Sequence, residues 1–260
     1  MLELLDRGEQ TATHHTPLLF VHGTSHGAWC WDEHFLGYFV EHGYRAAAVN
    51  LRGHGRSPVS TSLRRVSLSD FADDLRSSVL AMGTAPILIG HSLGGFVIVK
   101  YMERYATPGA VLVASAPPRG AWGTLGRALR HYPGLMLKNA LHGKLGPDFS
   151  PPALARRWFF STDLPETLVT RYAALFQEES DRALIGCLFH RGLRPRSSVP
   201  MLVLAAQDDF VFSRRETAAA ARTYGADWQL IPDLAHDVML DTRWRTAADA
   251  LRRWLERREF

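Results

Sequence analysis

The sequence predicts an α/β fold, with a mostly parallel central sheet, helices on both faces and a helical cap inserted into it. Short apolar runs alternate with stretches of helical period along most of the chain. One of those runs passes through a glycine-flanked serine straight into a helical stretch, at residues 86–99. The alternation then stops for 80 residues, 117–196, where no strand-like run occurs, and resumes afterwards. An interval that long is too long for a plain loop in a compact domain. Residues 1–116 and 197–260 therefore read as the core. Residues 117–196 read as a helical cap or lid over the C-terminal edge of the strands, where ligands bind in such sheets.

Residues 1–7 open the chain as a strand. Residues 17–21, Pro-Leu-Leu-Phe-Val, are apolar throughout, as a strand covered on both faces requires. They run into His22-Gly23-Thr24-Ser25-His26-Gly27-Ala28-Trp29-Cys30-Trp31. A helix follows, with Phe35 and Phe39 four apart and Gly43 at its end. Residues 45–49 are the next strand, leading into the turn-rich Arg52-Gly53-His54-Gly55-Arg56-Ser57-Pro58. Ser67 and Asp70 start a helix whose apolar face is Leu68, Phe71, Leu75 and Val79. Residues 87–89 and 110–114 are strands. Within 117–196, helical fragments fall at 152–159 and 165–178. Residues 200–205 are a strand, and Ser213 with Glu216 caps a helix over 213–224. Residues 228–231 are the last strand. A final helix over 242–257 puts Trp244, Ala247, Leu251 and Leu255 on one face.

The serine is Ser92, in Gly90-His91-Ser92-Leu93-Gly94. Gly-x-Ser-x-Gly between a strand and a helix is a nucleophile elbow. The serine sits at a strained backbone angle, so the positions two before and two after must lack side chains. Gly95 then lets the helix pack closely on the sheet. Serine needs a base in hydrogen-bond reach, and the base needs an orienting carboxylate. In elbow enzymes the chain order is Ser, acid, His. His236 is the one histidine after position 190, and it follows the last strand. The acid belongs at the end of strand 200–205, where Asp208 and Asp209 both stand. Adjacent residues on an extended end point oppositely, so only one can face His236. The continuation into the turn favours Asp209, with Asp208 left to cap or pair locally. Two fixed N–H donors are needed for the oxyanion. Leu93, just after the nucleophile, is one, and Thr24, in the loop after strand 17–21, is the other. His22, His26 and Trp29 read as bracing that loop. His91 reads as structural, leaning away from the site by strand alternation. Trp122, Trp158, Phe159 and Phe176 of the cap are candidates to line an apolar substrate pocket.

Composition narrows the partners. The net charge of +4 comes with dispersed arginines and no basic stripe with stacking aromatics, so nucleic acid is not expected. No run of about 18 apolar residues occurs, so no membrane span is expected. Cys30 and Cys187 lack metal-ligand spacing and read as buried free thiols of a cytoplasmic protein. No metal or organic cofactor is implied.

Taken together, these residues resemble the α/β-hydrolase superfamily. Gly90-His91-Ser92-Leu93-Gly94-Gly95 is similar to its elbow and His22-Gly23-Thr24 to its oxyanion loop. Arg52-Gly53-His54-Gly55-Arg56-Ser57 resembles its Arg-Gly-x-Gly-x-Ser loop, with Asn50 where aspartate is usual. The stretch from His22 to Trp31 resembles the plant methylesterase and hydroxynitrile lyase branch. The lyases of that branch carry threonine at the place of Gly23 and lysine at the place of Asp237, and an aspartate cannot assist a leaving cyanide. The carbon–carbon bond hydrolases of this fold usually have tryptophan at the place of Asp237. The resemblance therefore implies a serine hydrolase cleaving a carboxylic ester of a small to medium apolar substrate. A thioesterase, a lactonase or a carbon–carbon hydrolase on the same triad are alternatives. A non-catalytic ligand receptor is disfavoured, because all three catalytic positions are filled.

Overall fold

In the computed structural model, the described residues are 1–115, 117, 119–142, 148–189, 195 and 199–260. In chain order the elements are β1 (Leu4–Arg7), β2 (Leu18–Val21), α1 (Trp29–Asp32), α2 (Phe35–Glu41), β3 (Ala46–Val49), α3 (Leu68–Ala81), β4 (Ile87–His91), α4 (Leu93–Met102) and β5 (Ala110–Val113). Then come α5 (Trp122–His131), α6 (Pro133–Leu141), α7 (Pro152–Phe159), α8 (Glu166–Ala173) and α9 (Asp181–Phe189). The chain closes with β6 (Met201–Ala206), α10 (Arg214–Tyr224), β7 (Asp227–Ile231) and α11 (Trp244–Arg257).

The seven strands form one sheet in the order β1-β3-β2-β4-β5-β6-β7. Only the β1–β3 pairing is antiparallel. The strands from β2 to β6 are buried at every residue, as a sheet covered on both faces demands. Helices α3 and α4 pack on each other, with α4 against β2, β4 and β5, while α2 and α11 pack on each other. Local chemistry sets two of the helix starts. Ser67 with Asp70 and Ser213 with Glu216 each form a complete capping box, for α3 and α10. Asn50, the departure in the Arg-Gly-x-Gly-x-Ser loop, uses both ends of its amide. Its Oδ1 accepts from the Ala28 N–H at 2.7 Å, and its Nδ2 donates to Glu3 Oε2 at 2.8 Å. An aspartate there would set two carboxylates against each other.

Between β5 and β6 the described residues are helical, with no strand among them. The fragment expected at 152–159 is α7, but the one expected at 165–178 stops at Ala173. Residues 175 and 176 make tight three-residue turns, and the Gln177 N–H leaves the segment to donate to the Ser25 carbonyl at 2.8 Å. The stretch that apolar period alone would extend as helix is instead tied to the β2–α1 loop. Both cysteines are buried and free. Among the described residues no helix is long and apolar enough to cross a membrane.

Candidate active site

Ser92 stands alone between β4 and α4, with φ 50° and ψ −116°. A non-glycine residue there is strained, and such strain persists only where the surroundings enforce it. They do so here. The Ser92 N–H donates to the Val113 carbonyl at 3.0 Å, and the Ser115 hydroxyl donates to the Ser92 carbonyl at 3.0 Å. A Cβ on Gly90 would lie 2.6 Å from Gly94 main-chain atoms, and one on Gly94 would lie 2.4 Å from the Val21 carbonyl oxygen. The helix thus starts hard against the ends of β2 and β4.

The loop after β2 runs alongside this turn. A Cβ on Gly23 would meet His91 Nδ1 at 2.6 Å and Ser92 Cβ at 3.0 Å. The N–H groups of Thr24 and Leu93 make no hydrogen bond within the described residues. His22 is buried and neutral. Its Nδ1–H faces the Gly23 carbonyl at 2.9 Å, its Nε2 accepts from the Leu51 N–H, and burial holds its pKa well below the ordinary value.

The structure brings Asp209 and His236 together. His236 Nδ1 lies 3.0 Å from both oxygens of Asp209, and the two side chains are 2% and 1% exposed. Asp209 Oδ1 also accepts the N–H groups of Val211 and Phe212, at 2.7 and 2.9 Å. Those bonds fix the carboxylate, and the carboxylate fixes Nδ1 of His236 as the protonated nitrogen. Asp208 is exposed, and its N–H donates to the Leu234 carbonyl. Among the described residues neither the Ser92 hydroxyl nor His236 Nε2 makes a hydrogen bond. Contacts of this kind often tighten only around a substrate.

His91 does not lean away. Its ring is 4.7 Å from that of His236, and its Nε2–H donates to the His236 carbonyl at 3.0 Å. Its side chain packs against the loop after β7 that carries His236. It therefore ties the loop of His236 to the residue next to Ser92. Burial, then the nearby His236, lowers its pKa to about 3, so it is neutral.

A second histidine–carboxylate pair, absent from the sequence reading, lies behind the first. Asp237 is fully buried, and its Oδ2 lies 3.0 Å from His26 Nε2. His26 Nδ1 lies 2.7 Å from the Thr24 carbonyl. Both partners of this ring can only accept, so both ring nitrogens donate and His26 is an imidazolium. Burial opposes that charge, but the charge and hydrogen bond of Asp237 and the Thr24 carbonyl outweigh it, and the His26 pKa is raised. Burial likewise opposes the Asp237 carboxylate, and the charge and hydrogen bond of His26 reverse it, so the Asp237 pKa is lowered. The pair staples the Thr24 loop to the residue that follows His236.

Of the four aromatic candidates, two sit around these groups. The Phe159 ring is 5.8 Å from that of His236, and Phe176 packs 4.8 Å from His26 and 5.5 Å from Phe159. Trp158 is buried against Tyr132, Phe149 and Phe210. Trp122 is 41% exposed and meets Phe189 edge-on. Phe212, outside the cap, completes the shell at 5.7 Å from His236. The surroundings are aromatic, and the Phe159 carbonyl accepts the Asp237 N–H at 2.9 Å.

Residues 18–250 match the model of the alpha/beta hydrolase family. The chain belongs to that family. Among this hydrolase's relatives is a non-heme chloroperoxidase of Streptomyces lividans, 37% identical over 107 residues, covering 39% of this chain and 37% of the relative. An esterase of Oryza sativa subsp. japonica is 32% identical over 105 residues, 38% of each chain. The matches thus span well under half the length of these relatives. A thermophilic esterase from Thermogutta terrifontis has the same fold, with a TM-score of 0.73 and 23% identity over 100% of this chain and 94% of its own.

His91, His236 and Asp237 bring donor atoms within 4.8 Å of one another, close enough for a metal to bridge. One donor atom of each is already spent, on the His236 carbonyl, Asp209 and His26 respectively. His91 Nδ1 and Asp237 Oδ1, both buried, make no hydrogen bond among the described residues.

Proposed function

We propose that this hydrolase cleaves a carboxylic ester of a small to medium apolar substrate through an acyl-enzyme on Ser92. The observation that carries the reading is the Asp209–His236 pair, almost fully buried and set on the loop that His91 ties to the strained serine. Ser92 Oγ attacks the ester carbonyl as His236 Nε2 takes its proton. Asp209 holds Nδ1 protonated and stabilises the imidazolium that forms. The unspent N–H groups of Thr24 and Leu93 receive the oxyanion, at the positive end of the α4 dipole. His236 returns the proton to the leaving alcohol. Water, deprotonated by His236, then releases the acid. The aromatic shell of Phe159, Phe176 and Phe212 supports an apolar acyl or alcohol group. The esterase among the relatives supports the bond type.

The test is Ser92→Ala. Turnover of p-nitrophenyl esters should fall by about 10⁴-fold or more while circular dichroism stays unchanged. A phosphonate probe should add to Ser92 in the parent protein, as read by mass. Unchanged turnover in the alanine variant would sink the reading. A bifunctional esterase/perhydrolase of Acinetobacter calcoaceticus, 32% identical over 105 residues, favours a second acceptor for the same acyl group. Hydrogen peroxide in place of water would give a peracid and free Ser92, and a peracid assay with peroxide present checks it.

A further inference from the structure

Arg127, on α5, reaches out of the cap to the loop that carries Asp209. Its Nε donates to the Phe210 carbonyl at 2.9 Å. Its Nη2 donates to the Val211 carbonyl and to Glu216 Oε2, the latter at 2.8 Å. Thr124, one turn earlier, adds its hydroxyl to the Val211 carbonyl at 2.6 Å. Glu216 is itself fixed, because it closes the capping box of α10.

The two peptide groups gripped this way are the same two that grip the acid. Val211 N–H and Phe212 N–H both donate to Asp209 Oδ1. A trans peptide directs its carbonyl and its N–H to opposite sides. The peptide units 210–211 and 211–212 therefore each stand between the guanidinium, at the oxygen end, and the carboxylate, at the N–H end. A cation on the carbonyl polarises the unit and makes its N–H a stronger donor. Both ends of each unit are charge-assisted. The guanidinium fork also fixes where the two carbonyls stand, which fixes where the two N–H groups point.

We propose that Arg127 is a positioning residue for the triad acid: through two peptide groups it holds Asp209 in register with His236, so the seat of α5 on the core and the alignment of the triad are one device. The inference rests on the proposed triad. Arg127 touches neither Asp209 nor His236, and Lys, with one point of charge, cannot hold both carbonyls as the fork does.

The experiment uses the full-length protein as wild type, Arg127→Ala and Arg127→Lys, with two readouts. One is the low-field NMR signal of the proton on His236 Nδ1, assigned by its loss in Asp209→Asn. The other is kcat and KM on a p-nitrophenyl ester. In R127A the signal should broaden or move upfield, and kcat should fall on the order of ten- to a hundred-fold with KM little changed. Guanidinium chloride, at concentrations too low to unfold the protein, should restore part of both, and equal sodium chloride should not. R127K should lie between. A wild-type signal in R127A overturns the inference, and so does failure of guanidinium to restore either readout. Should R127A not fold, R127K decides, and a wild-type signal and kcat there overturn it. If the wild type shows no Ser92-dependent turnover, the esterase reading fails, while the NMR signal still settles whether Arg127 holds Asp209.

Discussion

Two histidine–carboxylate pairs lie side by side in this hydrolase, each 3.0 Å from nitrogen to oxygen and each almost fully buried. They differ in what faces the far side of the ring. His26 meets a carbonyl there, so both nitrogens are committed and the ring is locked as a cation. His236 meets no partner on Nε2 among the described residues, which leaves that nitrogen open for the role the proposed mechanism gives it. On the proposed mechanism the same two side chains make a brace in one place and a general base in the other. The difference is a single acceptor, and burial or pairing distance alone would not reveal it.

The comparison can be broken from either side. The largest expected effect is Asp209→Asn, which keeps the shape but lets the amide present a hydrogen to Nδ1 and select the wrong tautomer. In that variant kcat on p-nitrophenyl esters should drop by about 10⁴-fold, with chemical denaturation little altered. Asp237→Ala should show the opposite profile. It strands a buried imidazolium, so unfolding in urea should show a loss of about 3–5 kcal/mol. Turnover per folded molecule should suffer far less than in Asp209→Asn, and if it suffers as much, the division of roles is wrong.

The pH dependence of that stability gap sharpens the point. His26 is raised above its ordinary 6.5, so its share is complete below 6.5 and is lost as pH climbs through the raised value. Asp237 is held below its ordinary 3.8, so its share is complete above 3.8 and is lost as pH falls through the lowered value. The gap between wild type and Asp237→Ala should therefore be widest between pH 3.8 and 6.5 and should close on the alkaline side. A gap that grows above that window would contradict the charged pair. The smallest effect belongs to Asp208→Asn. That side chain is exposed, and activity should stay within about two-fold of wild type.

The sequence made much of the frame legible because the strands β2 to β6 are short apolar runs and some helix starts carry a local chemical signal. Ser67 with Asp70 and Ser213 with Glu216 are the clearest cases. The candidates Ser92, Asp209 and His236 were readable for a related reason: each sits where a strand ends, and strand ends share one edge of a parallel sheet. The order in which the seven strands pair was not readable from any one segment. Nor was the His26–Asp237 pair, which joins residues 211 positions apart, or the crossing from Arg127 to Phe210. Contacts of that range leave no period or spacing in the chain. His91 shows a subtler limit, because alternation gives the face of a strand but not which loop will cover it. The early stop at Ala173 has the same origin, a distant carbonyl at Ser25 that claims the Gln177 N–H.

Phe159 joins the inserted segment to the loop of His236 with its main chain, while its ring does something separate beside the imidazole. Every amino acid has a carbonyl, but only some have a phenyl group. Residue 159 can therefore be trimmed or exchanged to change the ring beside the imidazole without cutting the tie, which makes it, on the proposed mechanism, the natural place to retune which acyl chains are taken.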